Sequence, residues 1–287
     1  MATIGIFDSG IGGLSVFREI RKLLPAERYI YFADNAFCPY GTKSQTFIQE
    51  RAREIAELLV RRGADIIVVA CNTATAAAIA MLRAELSEAP STPVMEWSDG
   101  RLDHLCFIGM EPAVKPAALG TQSGVIGVLA TAGTLSASKY LKTRGLYEED
   151  VRIVEHVGQG FVELVEAGEL TGAHAEEIVR ESLTPLLEAG ADTIVLGCTH
   201  YPFLLDTLRK VADGFTGKAG REPVRFIDPA PAVARQLLKV MDREGIFHGP
   251  VSDPDKAGSA SSSPQSADLT LLSSGPSCTL RNAIHFI

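Results

Sequence analysis

Two cysteines in this chain occupy the same place in a repeated phrase. Residues 64–75 read ADIIVVACNTAT and residues 191–202 read ADTIVLGCTHYP, and five of the first eight positions are identical. Each phrase is an apolar, β-branched run that ends in a cysteine, Cys71 or Cys198, and then turns polar. A strand feeding a helix at that point sets the thiol beside helix N–H groups, which stabilise the thiolate and lower its pKa from about 8.5 toward neutrality. A single buried cysteine is commonly a small core hydrophobe. Two at duplicated positions, each with a polar tail, point instead to a pair of acid/base groups.

The tails differ. Asn72 and Thr73 follow Cys71, whereas Thr199 and His200 follow Cys198. Asn and Thr at a helix start cap it or bind a ligand carboxylate beside the backbone amides, and both roles can coexist. His200 titrates in the range suited to general acid/base work and lies close enough to Cys198 to exchange a proton with it. The first strand ends in Asp8 and Ser9 and runs into GIGG. Neither a G-x-G-x-x-G fingerprint nor a phosphate-loop lysine is present, so those glycines predict a tight turn and close backbone approach rather than a nucleotide site. Asp8, at the end of a strand next to that of Cys71, reads as the proton partner of that thiol. The segment ADNAFCPYG ends a second strand in a turn of Pro39, Tyr40 and Gly41, whose backbone and Tyr hydroxyl could clamp a small ligand.

Two thiols facing each other across a cleft suit a symmetric task. One takes a proton from a carbon and the other returns one to the opposite face, which is racemisation without a cofactor. A thiolate metal centre from Cys71, Cys198 and His200 would lack the usual fourth ligand and short ligand spacing, so no metal is expected.

The elements that must position these groups alternate in type. TIGIF, RYIYFA and ADIIVVA are each followed by a helical pattern, from about Gly13, Ser44 and Asn72. The order restarts with GVIGVLA, VRIVEHV and ADTIVLG, and IGIFDSGIGGLS at 4–15 matches IGVLATAGTLS at 126–136, which brings Thr131 opposite Ser9. Duplicated βαβ units predict an α/β protein of two pseudo-symmetric, doubly wound parallel-sheet domains with the active site in the cleft between them. The expected limits are 1–106 with 223–287 for the first domain and 107–222 for the second. VRFIDPA and LTLLSSG are expected to return and complete the first sheet.

Composition excludes several other tasks. The chain has 27 basic and 35 acidic residues, a net charge of −8, without a Lys/Arg cluster, so a nucleic-acid footprint is absent. No run approaches the roughly 20 apolar residues of a membrane span, and the start lacks signal-peptide character, so a cytoplasmic protein is expected. Five widely spaced cysteines without C-x-x-C pairs suggest free thiols. Residues 252–267, rich in Ser, Pro, Gly and Asp, read as a mobile surface loop.

FDSGIGGLSV, the PYG turn, ACNTA, EPAVKPAA at 111–118, FVELVEAG and GCTHYP, in that order, resemble the glutamate racemases of the aspartate/glutamate racemase superfamily. ACNTA alone would leave aspartate or hydantoin racemases open, whereas DSG with PYG and GCTHYP points to glutamate. The resemblance covers almost the whole chain. It implies that Cys71 and Cys198 are the opposed acid/base pair, the first acting on D-glutamate and the second on L-glutamate. Asp8 would assist Cys71, and His200 would assist Cys198, with Glu166 of FVELVE close to the second thiol. Asp8, Ser9, Pro39, Tyr40, Gly41, Asn72, Thr73, Thr131, Thr199 and His200 would hold the substrate. No pyridoxal phosphate is implied. The product would be D-glutamate for bacterial peptidoglycan, glutamate is the expected small-molecule partner, and the resemblance is compatible with a homodimer.

Two segments depart from the family pattern. MEWSDGRLDHLC at 95–106 interrupts the run from PV into FIGMEPAVKPAA near the expected crossover between domains, and HVGQG stands before FVELVE where many members have a Cys-Pro element. With no N-terminal extension, activation by a cell-wall precursor is not expected. The competing readings are an aspartate racemase and a two-lobed amino-acid binding or sensory protein. Pure binding needs neither thiol, which weighs against the latter.

Overall fold

Strands that are apolar at every position need cover on both faces, and the computed structural model supplies it. It describes residues 1–219, 222–246, 248–252 and 268–286, so residues 253–267 of the Ser/Pro-rich run lie outside the described residues. The first unit contains β1 (Thr3–Asp8), α1 (Leu14–Leu23), β2 (Arg28–Ala33), α2 (Gln45–Arg61), β3 (Ile66–Val69), α3 (Asn72–Leu86), α4 (Thr92–Trp97) and β4 (Cys106–Ile108). The chain then crosses through α5 (Val114–Gly120) to β5 (Val125–Ala130), α6 (Ala132–Leu135), α7 (Ser138–Gly145), β6 (Arg152–Val157), α8 (Phe161–Ala167), α9 (Ala173–Glu188), β7 (Thr193–Gly197), α10 (Leu205–Ala219) and β8 (Arg225–Ile227). It ends with α11 (Ala230–Arg243), β9 (Leu269–Ser273) and α12 (Ser277–Ala283).

Among the described residues all seven strand pairings are parallel. The first sheet has the order β4-β3-β1-β2-β9, and the second, read from its other edge, has the order β8-β7-β5-β6. Four strands of each sheet therefore follow one plan, with β1, β2, β3 and β4 equivalent to β5, β6, β7 and β8. The expected return of LTLLSSG to the first sheet is met by β9, which pairs with β2. The same expectation for VRFIDPA is corrected: β8 pairs with β7 in the second sheet. The duplication explains why, since β8 occupies the place that β4 holds in the first sheet.

Side chains alternate across each strand, so Ile4, Ile6 and Val68 meet a core with Leu14, Phe17 and Ile20 of α1 and Leu237 and Met241 of α11. Phe7, Ile67 and Val69 face the other way, into a core with Ile55 and Leu59 of α2 and Ala78 and Leu82 of α3. Each fully buried Ile or Leu contributes about 1.5–3 kcal/mol relative to exposure, which holds the strand ends rigidly enough to carry a site.

The segment at 95–106 is ordered. Trp97 ends α4 buried at 6 % exposure, and the Arg53 guanidinium of α2 lies 5.3 Å from its ring centre. Asp99 and Gly100 then turn the chain through positive φ, and Arg101 donates to the Ala64 carbonyl and pairs with Asp65. Among the described residues no helix is long and apolar enough to cross a membrane.

Candidate active site

The equivalence of β3 and β7 sets Cys71 and Cys198 beyond the carboxyl ends of matching strands. Both are buried, at 5 % and 7 % exposure. Cys71 is the N-cap of α3, and its Sγ accepts the Ala74 N–H at 3.5 Å and lies 3.8 Å from the Ser9 hydroxyl. β1 runs beside β3, which brings Asp8 to the same corner. Asp8 Oδ2 accepts the N–H groups of Gly10 and Gly13, each at 3.1 Å. Asp8 thus holds the start of α1 and stands beside Cys71 at once.

On the opposite side, Cys198 Sγ lies 3.8 Å from Nδ1 of His200, and His200 Nε2 lies 2.7 Å from Glu166 Oε1. His200 is buried. Glu166, on α8, also accepts the Ile11 N–H at 2.8 Å. Helix α8 starts after Gly160 in the left-handed region and stops at Gly168 in the same region, which fixes the short stretch carrying Glu166.

The two halves meet through the site. Thr199 Oγ1 donates to Asp8 Oδ1 at 3.4 Å, Ser15 Oγ donates to the Thr199 carbonyl at 2.9 Å, and the hydroxyls of Thr73 and Thr131 lie 3.0 Å apart. The GIGG glycines serve this meeting. A Cβ on Gly12 would run into the His200 imidazole, and one on Gly10 would run into Glu166. The close backbone approach read from the sequence is therefore an approach to side chains of the second unit.

Burial governs the charges. It pushes the Cys71 thiol well up, and the Asp8 charge adds to this, so the lowering expected from the helix amino terminus is present through Ala74 but outweighed. Burial likewise raises Asp8, against the His200 charge and the Gly10 and Gly13 amides. For His200 burial works downward, yet its bonds to Cys198, Cys38 and Glu166 carry it well above its ordinary value. Glu166 is the mirror case: burial works upward, and the His200 bond and charge hold it below the usual carboxylate range. A protonated imidazole beside Cys198 and a protonated thiol beside Asp8 make the two sides chemically unequal.

Asn72 is buried at the start of α3, and both its Nδ2 and Oδ1 lack hydrogen-bond partners. An unpaired buried amide is costly, so it is a ready contact for a polar ligand. Gly41 packs over Thr131 with space for a Cβ at 3.4 Å. The Tyr40 hydroxyl is engaged elsewhere, donating to Asp34 Oδ2 at 2.5 Å, and Asp34 is in turn bonded by Arg51. The turn of Pro39, Tyr40 and Gly41 thus has its backbone rather than the phenol to offer. Three residues of this region were not singled out from sequence. Cys38 Sγ lies 3.8 Å from Glu166 Oε1, Ile11 bonds the same carboxylate, and Ser15 holds Thr199. No local pattern marks them, because their partners lie more than a hundred residues away.

The profile of the family described as Asp/Glu/Hydantoin racemase matches residues 4–237. The glutamate racemase of Pseudomonas paraeruginosa is 43% identical over 246 residues, which cover 86% of this chain and 84% of that one. The glutamate racemase of Ectopseudomonas mendocina is 45% identical over 246 residues with the same coverage. Among solved structures, glutamate racemase from Francisella tularensis in complex with D-glutamate superposes with a TM-score of 0.71 at 25% identity, covering 99% of this chain and 92% of that chain. The Escherichia coli glutamate racemase in complex with L-glutamate and an activator gives a TM-score of 0.68 at 30% identity, covering 95% of this chain and 98% of that chain.

Proposed function

The chain belongs to the Asp/Glu/Hydantoin racemase family and is an isomerase of the glutamate racemase group within it, and from that premise we propose that it interconverts L- and D-glutamate through Cys71 and Cys198. The observation that carries the reading is the pairing of two buried thiols at equivalent strand ends, one beside Asp8 and the other beside His200.

In one direction a thiolate at Cys71 removes the Cα proton of D-glutamate, and the Cys198 thiol gives a proton to the opposite face, leaving a thiol at 71 and a thiolate at 198. The reverse direction exchanges these roles for L-glutamate. Asp8 takes the proton that Cys71 must shed before it can act. The His200 imidazolium stabilises the thiolate at Cys198, and Glu166 keeps that imidazole protonated.

The Cα–H of an amino acid is a very weak acid, so the carbanion needs fixed polar groups in a site closed to water. Asn72 with its two free polar atoms, Thr73, Thr131, Thr199, Ser9 and the backbone of residues 39–41 are assigned to the substrate carboxylates and ammonium group. Burial of both thiols supports a cleft that opens to admit substrate and closes before proton transfer. The bodies assigned to that motion are the units expected at 1–106 with 223–287 and at 107–222, with the second extended to carry β8, which belongs to its sheet. The product would serve as the D-glutamate of bacterial peptidoglycan, made in the cytoplasm.

Circular dichroism of L-glutamate with the purified protein under reductant, without added pyridoxal phosphate, tests the reading. The signal should decay to zero with the parent, but not with Cys71→Ala or Cys198→Ala, nor with L-aspartate as substrate. Undiminished turnover in both cysteine variants would remove the two-thiol mechanism.

A further inference from the structure

A second group of ligating side chains lies outside the cleft. Leu105 is fully buried, so its neighbours on the extended approach to β4, His104 and Cys106, point the other way. There they meet Glu244, the residue that caps the end of α11. One ligand atom from each of the three falls within 4.8 Å of the others.

The details favour an ion over a direct contact. His104 Nε2 and Glu244 Oε2 are 3.7 Å apart, too far for a hydrogen bond. Bonds of about 2.0–2.3 Å to a tetrahedral ion put neighbouring ligand atoms roughly 3.3–3.6 Å apart, close to that spacing. The other atoms of both side chains are already tied. His104 Nδ1 is bonded to Asp103 Oδ1 at 2.6 Å, the carboxylate–histidine arrangement that orients a metal-binding ring. Glu244 Oε1 is bonded by the Arg243 guanidinium at 2.7 Å. The group opens onto a cavity of about 510 Å³, lined also by Arg83, Glu111 and Lys139, which leaves room for a water as fourth ligand.

We propose that His104, Cys106 and Glu244 form a site for a divalent ion of the zinc class, which ties the segment entering β4 to the end of α11. Thiolate, imidazole and carboxylate together suit zinc or its cobalt substitute better than the hard, all-oxygen demand of magnesium or calcium. The sequence hid this site because its third ligand lies far along the chain from the first two.

Cobalt(II) titration of the full chain, stripped of metal and kept under a non-thiol reductant, tests the proposal. One equivalent should give a thiolate-to-cobalt charge-transfer band. The band should persist in Cys38→Ser and in the Cys71→Ser/Cys198→Ser double variant, and vanish in Cys106→Ser. Glu244→Gln should weaken the apparent Kd at least tenfold, and Asp103→Asn by about 10–100-fold. Metal-free melting curves matching the parent's establish that these variants fold. A parent that gives no band at stoichiometric cobalt would overturn the proposal, as would a band that survives in Cys106→Ser or disappears in the Cys38 or Cys71/Cys198 variants.

Discussion

Ile11 of the first unit donates its backbone N–H to Glu166 of the second at 2.8 Å, through the same carboxylate oxygen that lies 2.7 Å from His200 Nε2. The charge that sustains the imidazolium is thus held in place by a bond across the cleft. In the cleft motion proposed above, opening would break that bond and loosen Glu166, so the protonation of His200 and the closure of the two units would favour each other.

Glu166→Gln keeps the shape and the Ile11 contact but removes the charge. kcat/KM should fall by about 10²-fold, within the range for loss of a general acid/base contribution. The alkaline limb of its pH profile should also move to lower pH, since His200 then loses its proton more readily. Racemisation rates measured across pH in both directions check this, and an unshifted limb would separate Glu166 from His200.

The same groups give stability a pH dependence with a definite sign. His200 is raised well above its ordinary 6.5, so its contribution is whole below about 6.5 and is lost as pH climbs through the folded value. Asp8, raised from 3.8, has the same sign. Glu166 is held below 4.5, so its contribution is present above that value and is lost as pH falls through its folded value. Thermal stability should therefore be greatest in mild acid and decline toward alkaline pH, with a shallower decline in Glu166→Gln. Melting temperatures of both proteins between about pH 5 and 9 report it.

Much of this arrangement was legible because duplication repeats a local pattern. The apolar run into Cys71 and its copy into Cys198 marked equivalent strands with a thiol just beyond each, without any long-range information. Asp8 followed from the order of strands. What local pattern could not give was contact across the chain. β8 is three residues long, with exposed or half-buried side chains that carry no label of sheet. Ile11 meets Glu166, Cys38 meets Glu166 and His104 meets Glu244 only because separate elements converge. The rise of Cys71 was also hidden, since the helix terminus can be read from sequence while the extent of burial cannot.

Gly12 offers a steric test of the meeting of the two units. Its missing Cβ is where the His200 imidazole lies, so Gly12→Ala forces the ring aside or holds the cleft apart. Overpacking of this kind costs about 1–3 kcal/mol. Urea denaturation should show a loss of that order, and kcat should fall more than KM rises, because the substrate contacts proposed for Asn72 and Thr73 lie apart from the substituted atom. Wild-type kcat in a folded Gly12→Ala would mean that His200 is not needed at its observed position.

Asn72 separates binding from stability. Its amide is buried with neither polar atom paired, and the backbone of α3 does not depend on it, since Cys71 supplies the cap. Removing an unsatisfied buried polar group relieves a desolvation cost, whereas removing a satisfied one adds to it. Asn72→Ala should accordingly match or exceed the parent in thermal stability while losing about 10²-fold in kcat/KM, the cost of deleting one preorganised donor to developing charge. Melting temperature and racemisation rate measured on the same preparation decide the point. A large drop in stability would assign Asn72 to the framework of α3, whereas unimpaired activity would leave its two free atoms without a substrate to meet.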